Sequence, residues 1–135
     1  MIQRVQSLWL LLAAVCAFLT LKLSFYSGAL LNVPYHELNG TENFGLMALT
    51  IGLAVLAFIN IFLFRNRGVQ LRICVAAILV DIILVVLYLK AKAQFTQGTY
   101  NLWCAFHPII IIALIFAIRG MNNDNRLIKD SDRLR

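Results

Sequence analysis

The chain has 135 residues, of which 61% are hydrophobic and 13% charged, with a formal net charge of +6 and a mean hydropathy of +0.83. Soluble globular domains are nearer half apolar and a quarter charged, so this composition excludes an ordinary soluble domain. The basic residues are not interleaved with aromatic residues along a groove, so we expect no nucleic-acid partner.

Long apolar runs dominate the chain, and each is close to the roughly 20 helical residues needed to span a hydrocarbon core of about 30 Å. None alternates polar and apolar residues, which excludes strands of a membrane barrel. The pattern predicts an all-α integral membrane protein with four transmembrane helices in an up-down-up-down bundle. The predicted spans are about 8–27, 44–64, 71–89 and 100–118. They form a transmembrane domain over 1–121, followed by a short tail over 122–135.

The first run could also be a cleaved signal peptide, because Arg4 precedes it and Ser27-Gly28-Ala29 loosely fits a cleavage site. The run is longer than a typical signal core, however, and contains Lys22. These features favour a retained helix with Lys22 near its outer end. The following segment, 28–43, has turn-forming residues without strand-like alternation, so we predict a loop there.

The basic residues predict the orientation. Nine of the twelve fall on one side of the predicted spans: Arg4, Arg65, Arg67, Arg72, Arg119, Arg126, Lys129, Arg133 and Arg135. The positive-inside rule therefore predicts that both termini lie in the cytoplasm. The tight turn F-R-N-R-G-V-Q-L-R-I-C makes the second and third spans antiparallel neighbours.

Asp81 lies within the run I-L-V-D-I-I-L-V-V, about 15 Å above the predicted cytoplasmic start of its span. In the fourth span, His107-Pro108 places an imidazole below the outer surface, and we predict that Pro108 lies inside the helix. We predict that Asp81 and His107 form an intramembrane polar pair. Three roles stay open: a structural hydrogen bond between helices, a contact with a partner protein, and a proton or ion site.

The tail N-N-D-N-R-L-I-K-D-S-D-R-L-R is polar, and Asn123 or Asp124 could cap a final helical piece. Leu127, Ile128 and Leu134 could share one face of it. Two interpretations stay open, an amphipathic helix on the anionic inner leaflet and a docking segment for a cytoplasmic partner.

Enzymatic motifs are absent: the chain contains no HExxH, GxSxG, Walker loop or paired carboxylates. It also contains no CxxC and no His/Cys cluster. We therefore expect no catalytic activity, no metal site and no cofactor.

Three motifs resemble one known family. The opening M-I-Q-R-V-Q-S-L-W-L-L-L-A-A, the turn N-R-G-V-Q-L-R-I-C and the ending D-R-L-R are similar to the small bacterial membrane proteins grouped as domain of unknown function 4293. The resemblance covers essentially the whole chain. It implies a four-helix inner-membrane protein of Gram-negative bacteria with no assigned activity.

The resemblance points to functional residues on the cytoplasmic face rather than to the polar pair. The family ending is S-A-D-R-L-R, whereas Asp130 and Ser131 precede D-R-L-R here, and the family motifs include neither Asp81 nor His107. The candidate docking residues are Arg4, Asn66, Arg67, Gln70, Arg72, Asp132, Arg133, Leu134 and Arg135. We therefore predict an accessory or interaction subunit of a larger membrane complex, with a protein partner at this face. The alternative is a small transporter or proton-linked permease using Asp81 and His107.

Overall fold

The computed structural model describes the backbone of residues 2–134 and the side chains from Val5 to Leu134. The chain is mostly helical, with a small sheet. The helices are α1 (Ile2–Leu19), α2 (Phe44–Phe62), α3 (Arg67–Lys92) and α4 (Phe106–Arg133), and a 3-10 turn over Leu102–Ala105 leads into α4. The strands are β1 (Tyr26–Leu30), β2 (Val33–Leu38) and β3 (Gln97–Tyr100).

Three helical segments are long and apolar enough to cross a membrane by length and composition. They are Phe44–Phe62, Arg67–Lys92 and Leu102–Arg133. The described apolar part of α1 is shorter, Val5–Leu19. Large apolar side chains on the outer faces of these helices, such as Leu79 and Ile112, are exposed, as lipid contact would require.

The core lies between the helices, with α1 packed on α2 and α4, and α3 packed on the same two helices. Each helix contributes buried residues at intervals of three or four, the spacing that keeps side chains on one face. Many of these residues are small, including Ala13 and Ala17 on α1 and Ala54 and Ala57 on α2. Small residues let helix backbones approach closely, so van der Waals contact can hold the helices together without a hydrophobic drive.

The prediction of an all-α chain is wrong at one end of the helical core, which we call the sheet end. There the segment predicted as a loop forms β1 and β2, and β3 joins them in the antiparallel order β2-β1-β3. Pro34 lies in β2, where it is tolerated because β2 is an edge strand. The sheet satisfies backbone hydrogen-bonding groups where the apolar run continues past the end of α1.

Two predicted helix ends also differ from those in the structure. The run at 8–27 is not one helix, because α1 ends at Leu19 and β1 begins at Tyr26. Pro108 lies inside α4, as predicted, and occupies its first turn, a position that needs no donated amide hydrogen bond. At its other end, α4 continues without a break through the predicted tail to Arg133.

Candidate functional site

Asp81 and His107 lie on facing stripes of two neighbouring helices. Asp81 belongs to the buried stripe of α3, between Ala77 and Leu84, and His107 begins the buried stripe of α4. Since α3 and α4 pack against each other, the two stripes bring these residues together. The sequence spacing of three and four residues therefore decides that both side chains point inward.

The two side chains form a direct contact. Nδ1 of His107 lies 2.6 Å from Oδ1 of Asp81, and the residues are 2% and 0% exposed. Within the described part of the chain, Oδ2 of Asp81 has no hydrogen-bond partner. Lys22, which the sequence places near the outer end of the first run, is exposed beyond the end of α1. The structure thus pairs Asp81 with His107 inside the helical core.

Aromatic rings enclose the pair from the sheet end. Phe25 stacks on Tyr88 with ring centroids 4.6 Å apart, and these rings lie 5.7 Å and 5.4 Å from the His107 ring. Tyr88 is itself buried on the same stripe of α3 as Asp81. This surrounding holds the imidazole in one orientation and separates the pair from the sheet end.

An open groove of about 400 Å³ reaches His107 from the outside of the molecule. Its walls are apolar near the imidazole, where Val85, Pro108 and Ile111 line it, and Asp81 is not among its lining residues. Apolar groups therefore surround the pair on the side that faces this groove. Such walls do not form a polar pathway to the carboxyl group.

The opposite end of the helical core, which we call the charged end, contains two buried polar clusters. In the first, Nδ2 of Asn60 lies 3.0 Å from Sγ of Cys74, and Nε2 of Gln70 donates to the carbonyl of Asn60 at 3.1 Å. This cluster joins α2 to α3. Gln70, one of the candidate docking residues, is buried here with its amide bonded to this carbonyl.

The second cluster joins α1 to α4. Nε2 of Gln6 donates to Oδ2 of Asp124 at 2.6 Å, and Nη1 of Arg67 lies 4.0 Å from the same oxygen. Asp124 is therefore an interior residue of α4 and not the cap of a separate helical piece. The signal for this role was in the sequence, because Asp124 continues the three-and-four spacing of Ala117 and Met121.

The remaining candidate docking residues differ in their exposure to solvent. Asn66, Arg72, Asp132, Arg133 and Leu134 are exposed, and Arg67 is partly buried beside Asp124. The side chain of Arg4 and all of Arg135 lie outside the described residues. The described candidates that are exposed therefore lie at the end of α4, in the turn before α3 and on the first turns of α3.

The final turns of α4 extend beyond the helical core. Asp124 is the last buried residue of α4, and every residue from Arg126 to Leu134 is exposed. The helix continues for nine residues past Asp124, or about 14 Å. Leu127 and Ile128 are 58% and 48% exposed on this extension. We call residues 126–134 the tail helix.

Polar residues of the sheet end form local pairs. His36 Nε2 lies 2.6 Å from Glu42 Oε1, and the Tyr35 hydroxyl donates to Glu37 Oε1 at 2.7 Å. The bond to Glu37 raises the pKa of Tyr35 above its ordinary value. These contacts are exposed, so they stabilise the surface around β2 and do not form an enclosed site.

Comparison with known families gives one match. The model of the family described as Domain of unknown function (DUF4293) matches residues 2–134, which is nearly the whole chain. The resemblance predicted from the three sequence motifs is thereby confirmed. A search of curated proteins finds no match.

Proposed function

This chain belongs to the DUF4293 family, and we propose that it is an accessory or interaction subunit of a larger complex in the bacterial inner membrane. All four helices span the bilayer in this proposal, and both termini lie in the cytoplasm. Three helices have the required length and apolarity. The 18 residues of α1 extend about 27 Å, close to the hydrocarbon thickness. The excess of basic residues at the charged end supports its cytoplasmic position.

The observation that carries the proposal is the unpacked tail helix. The final turns of a helix gain little stability when they have no tertiary contacts, because most helical stability in proteins comes from packing. Here Leu127 and Ile128 are exposed on consecutive positions. Ile128 also continues the stripe formed by Met121 and Asp124, which is buried where the core covers it. A surface that continues a buried stripe is suited to pack against another protein.

The charges of the tail helix favour a protein over a lipid surface as its partner. Helices that lie on anionic membranes carry mainly Lys and Arg on their polar face. The tail helix instead places Asp130 and Asp132 among its three basic residues, and these five charges line one surface depression. The mixture of signs suits pairing with complementary charges on a partner.

A truncation tests this function. Deleting residues 126–135 removes the tail helix and leaves the Gln6–Asp124 contact in place, so the helical core should remain folded. We expect the full-length protein, purified in mild detergent, to retain a partner at a fixed stoichiometry, and the truncated protein to lose it. The matched control is Leu31→Ser, which changes an exposed apolar residue at the sheet end and should keep the partner. Retention of the partner by the truncated protein would contradict the proposal.

The buried Asp81–His107 pair is the one observation that favours the alternative, a small proton-linked transporter, because ionisable residues within a membrane often mark a pathway. The apolar walls of the groove at His107 argue against it. If the pair moves protons or ions, proteoliposomes with wild-type protein will show a flux that Asp81→Asn abolishes. Equal or absent flux in both rules the alternative out.

A further inference from the structure

The surfaces through which α1 and α4 pack repeat every four residues. The two helices run antiparallel, and each contributes two buried alanines four positions apart: Ala13 and Ala17 on α1, Ala113 and Ala117 on α4. A slip of one helical turn, or about 5 Å, would again place small residues against small residues. Contacts of this kind hold the helices together, but they do not select one register between them.

Gln6 and Asp124 interrupt this repetition. Nε2 of Gln6 donates to Oδ2 of Asp124 at 2.6 Å, and each residue is only 6% exposed. A slip of one turn would separate them and place Gln6 beside Ile128 or Gly120, neither of which has a side-chain acceptor. Because a buried polar group without a partner is costly, this contact favours one register of α4 against α1.

Two neighbouring residues support the contact. A Cβ atom at Gly120 would lie 2.9 Å from Cγ of Gln6, so glycine at this position leaves the room that the Gln6 side chain occupies. Nη1 of Arg67, at the start of α3, lies 4.0 Å from Oδ2 of Asp124. The carboxyl group of Asp124 is therefore held from α1 and from α3, which fixes this turn of α4 relative to two other helices.

A buried polar contact of this kind contributes more to specificity than to stability. Replacing buried polar or ionic groups with apolar residues of similar size is often neutral or stabilising, whereas one polar group in an apolar helix interface can select a single register. Asp124 is the last buried residue of α4, and the tail helix begins two positions later. The position of Asp124 along α1 therefore sets the direction and height of the tail helix.

We propose that the Gln6–Asp124 contact is a register lock, which holds α4 at one position along α1 and so presents the tail helix in one orientation. This inference deepens the docking function proposed above and rests on it for its purpose, because a partner binds more tightly to a surface that is already in place. The lock itself acts within this chain, so it can be measured in the absence of a partner.

The distance between α1 and the tail helix tests the lock. Nitroxide labels on Leu12→Cys and Ser131→Cys, both at exposed positions, report this distance by double electron–electron resonance in the full-length protein with Cys104 replaced by serine. We expect a single narrow distance in this background. Combining Gln6→Leu with Asp124→Leu should leave the unfolding midpoint unchanged or raised, but should add a second distance displaced by about 5 Å.

Two further variants serve as controls. Asp124→Asn keeps an amide oxygen that can accept from Gln6, so it should keep the single distance. Phe116→Leu removes a half-exposed ring that stacks on Trp9 at the same helix interface, and it should also keep the single distance.

Two results would overturn the proposal. A double leucine variant that keeps only the wild-type distance would show that the contact does not select the register. A double leucine variant that does not fold would show that the contact serves stability instead. Both measurements are made without a partner, so a failure of the docking function, which the truncation detects, is distinguishable from a failure of the lock.

Discussion

Replacing Gly28 with alanine should destabilise the sheet end by at least about 1–3 kcal/mol, the usual cost of overfilling a packed site. Gly28 of β1 pairs directly with Gly98 of β3. A Cβ atom at Gly28 would overlap the carbonyl oxygen of Gln97 and lie 2.7 Å from Cα of Gly98. Both are backbone atoms, so no side-chain rotation can relieve the clash and the strands must separate.

The measurement is the unfolding midpoint in detergent, together with the rate of proteolysis in the segment containing β3. Gly28→Ala should lower the midpoint and accelerate cleavage there. The matched control is Gly52→Ala in α2, where a Cβ would meet nothing within 4 Å. This variant should be neutral or stabilising by up to about 1 kcal/mol, because alanine is the better helix former. An unchanged midpoint in Gly28→Ala would refute the β1–β3 pairing.

The second large effect is expected when His107 is removed and Asp81 remains. A hydrogen bond between membrane helices contributes about 0.6–1.7 kcal/mol, whereas a buried charged group left without its partner costs about 3–5 kcal/mol. His107→Phe leaves the carboxyl group of Asp81 without either oxygen paired. Asp81→Val leaves a neutral imidazole, which costs less. We therefore expect His107→Phe to be the more destabilising of the two.

The double variant distinguishes this explanation from simple loss of packing. Asp81→Val combined with His107→Phe removes both polar groups, so it should be more stable than His107→Phe alone. The free energies of unfolding in a detergent titration of the wild type, both single variants and the double variant give the coupling energy directly. If the effects of the two substitutions add, the contact contributes nothing and the assignment of the pair is wrong.

The length and composition of the apolar runs predicted most of the helical part of the fold. The run at 44–64 became α2, Phe44–Phe62, and the run at 71–89 lies within α3. Such runs are recognisable because a membrane-spanning helix satisfies its own backbone and needs only an apolar composition. The same reasoning extended the first helix through residue 27, because composition alone does not tell an apolar helix from the apolar strand that follows it.

The sheet could not be predicted from local patterns. Gly28 and Gly98 are 70 positions apart, and the strands are only five, six and four residues long. Short strands with glycine or proline have no clear alternation, and their pairing is determined only when the helices bring their ends together. The sheet is therefore a consequence of helix packing rather than of strand propensity.

Of the buried polar contacts, one could be predicted from the sequence and another could not. Asp81 and His107 were predicted as partners because charged and polar residues within apolar runs are few. Gln6 and Asp124 were not, because both lie in polar segments where such residues are common. Only the continuation of the buried stripe of α4 past Met121 marks Asp124 as an interior residue.

Site-specific photocrosslinking in intact membranes tests the central claim, that the tail helix contacts a protein partner, most directly. A photoreactive phenylalanine analogue would replace Leu127, Ile128 or, as the control, the exposed Leu31 at the sheet end. The account predicts one discrete heavier product from Leu127 and Ile128, and none of that mass from Leu31. Crosslinks from the tail helix to lipid alone, or the same product from all three positions, would contradict it.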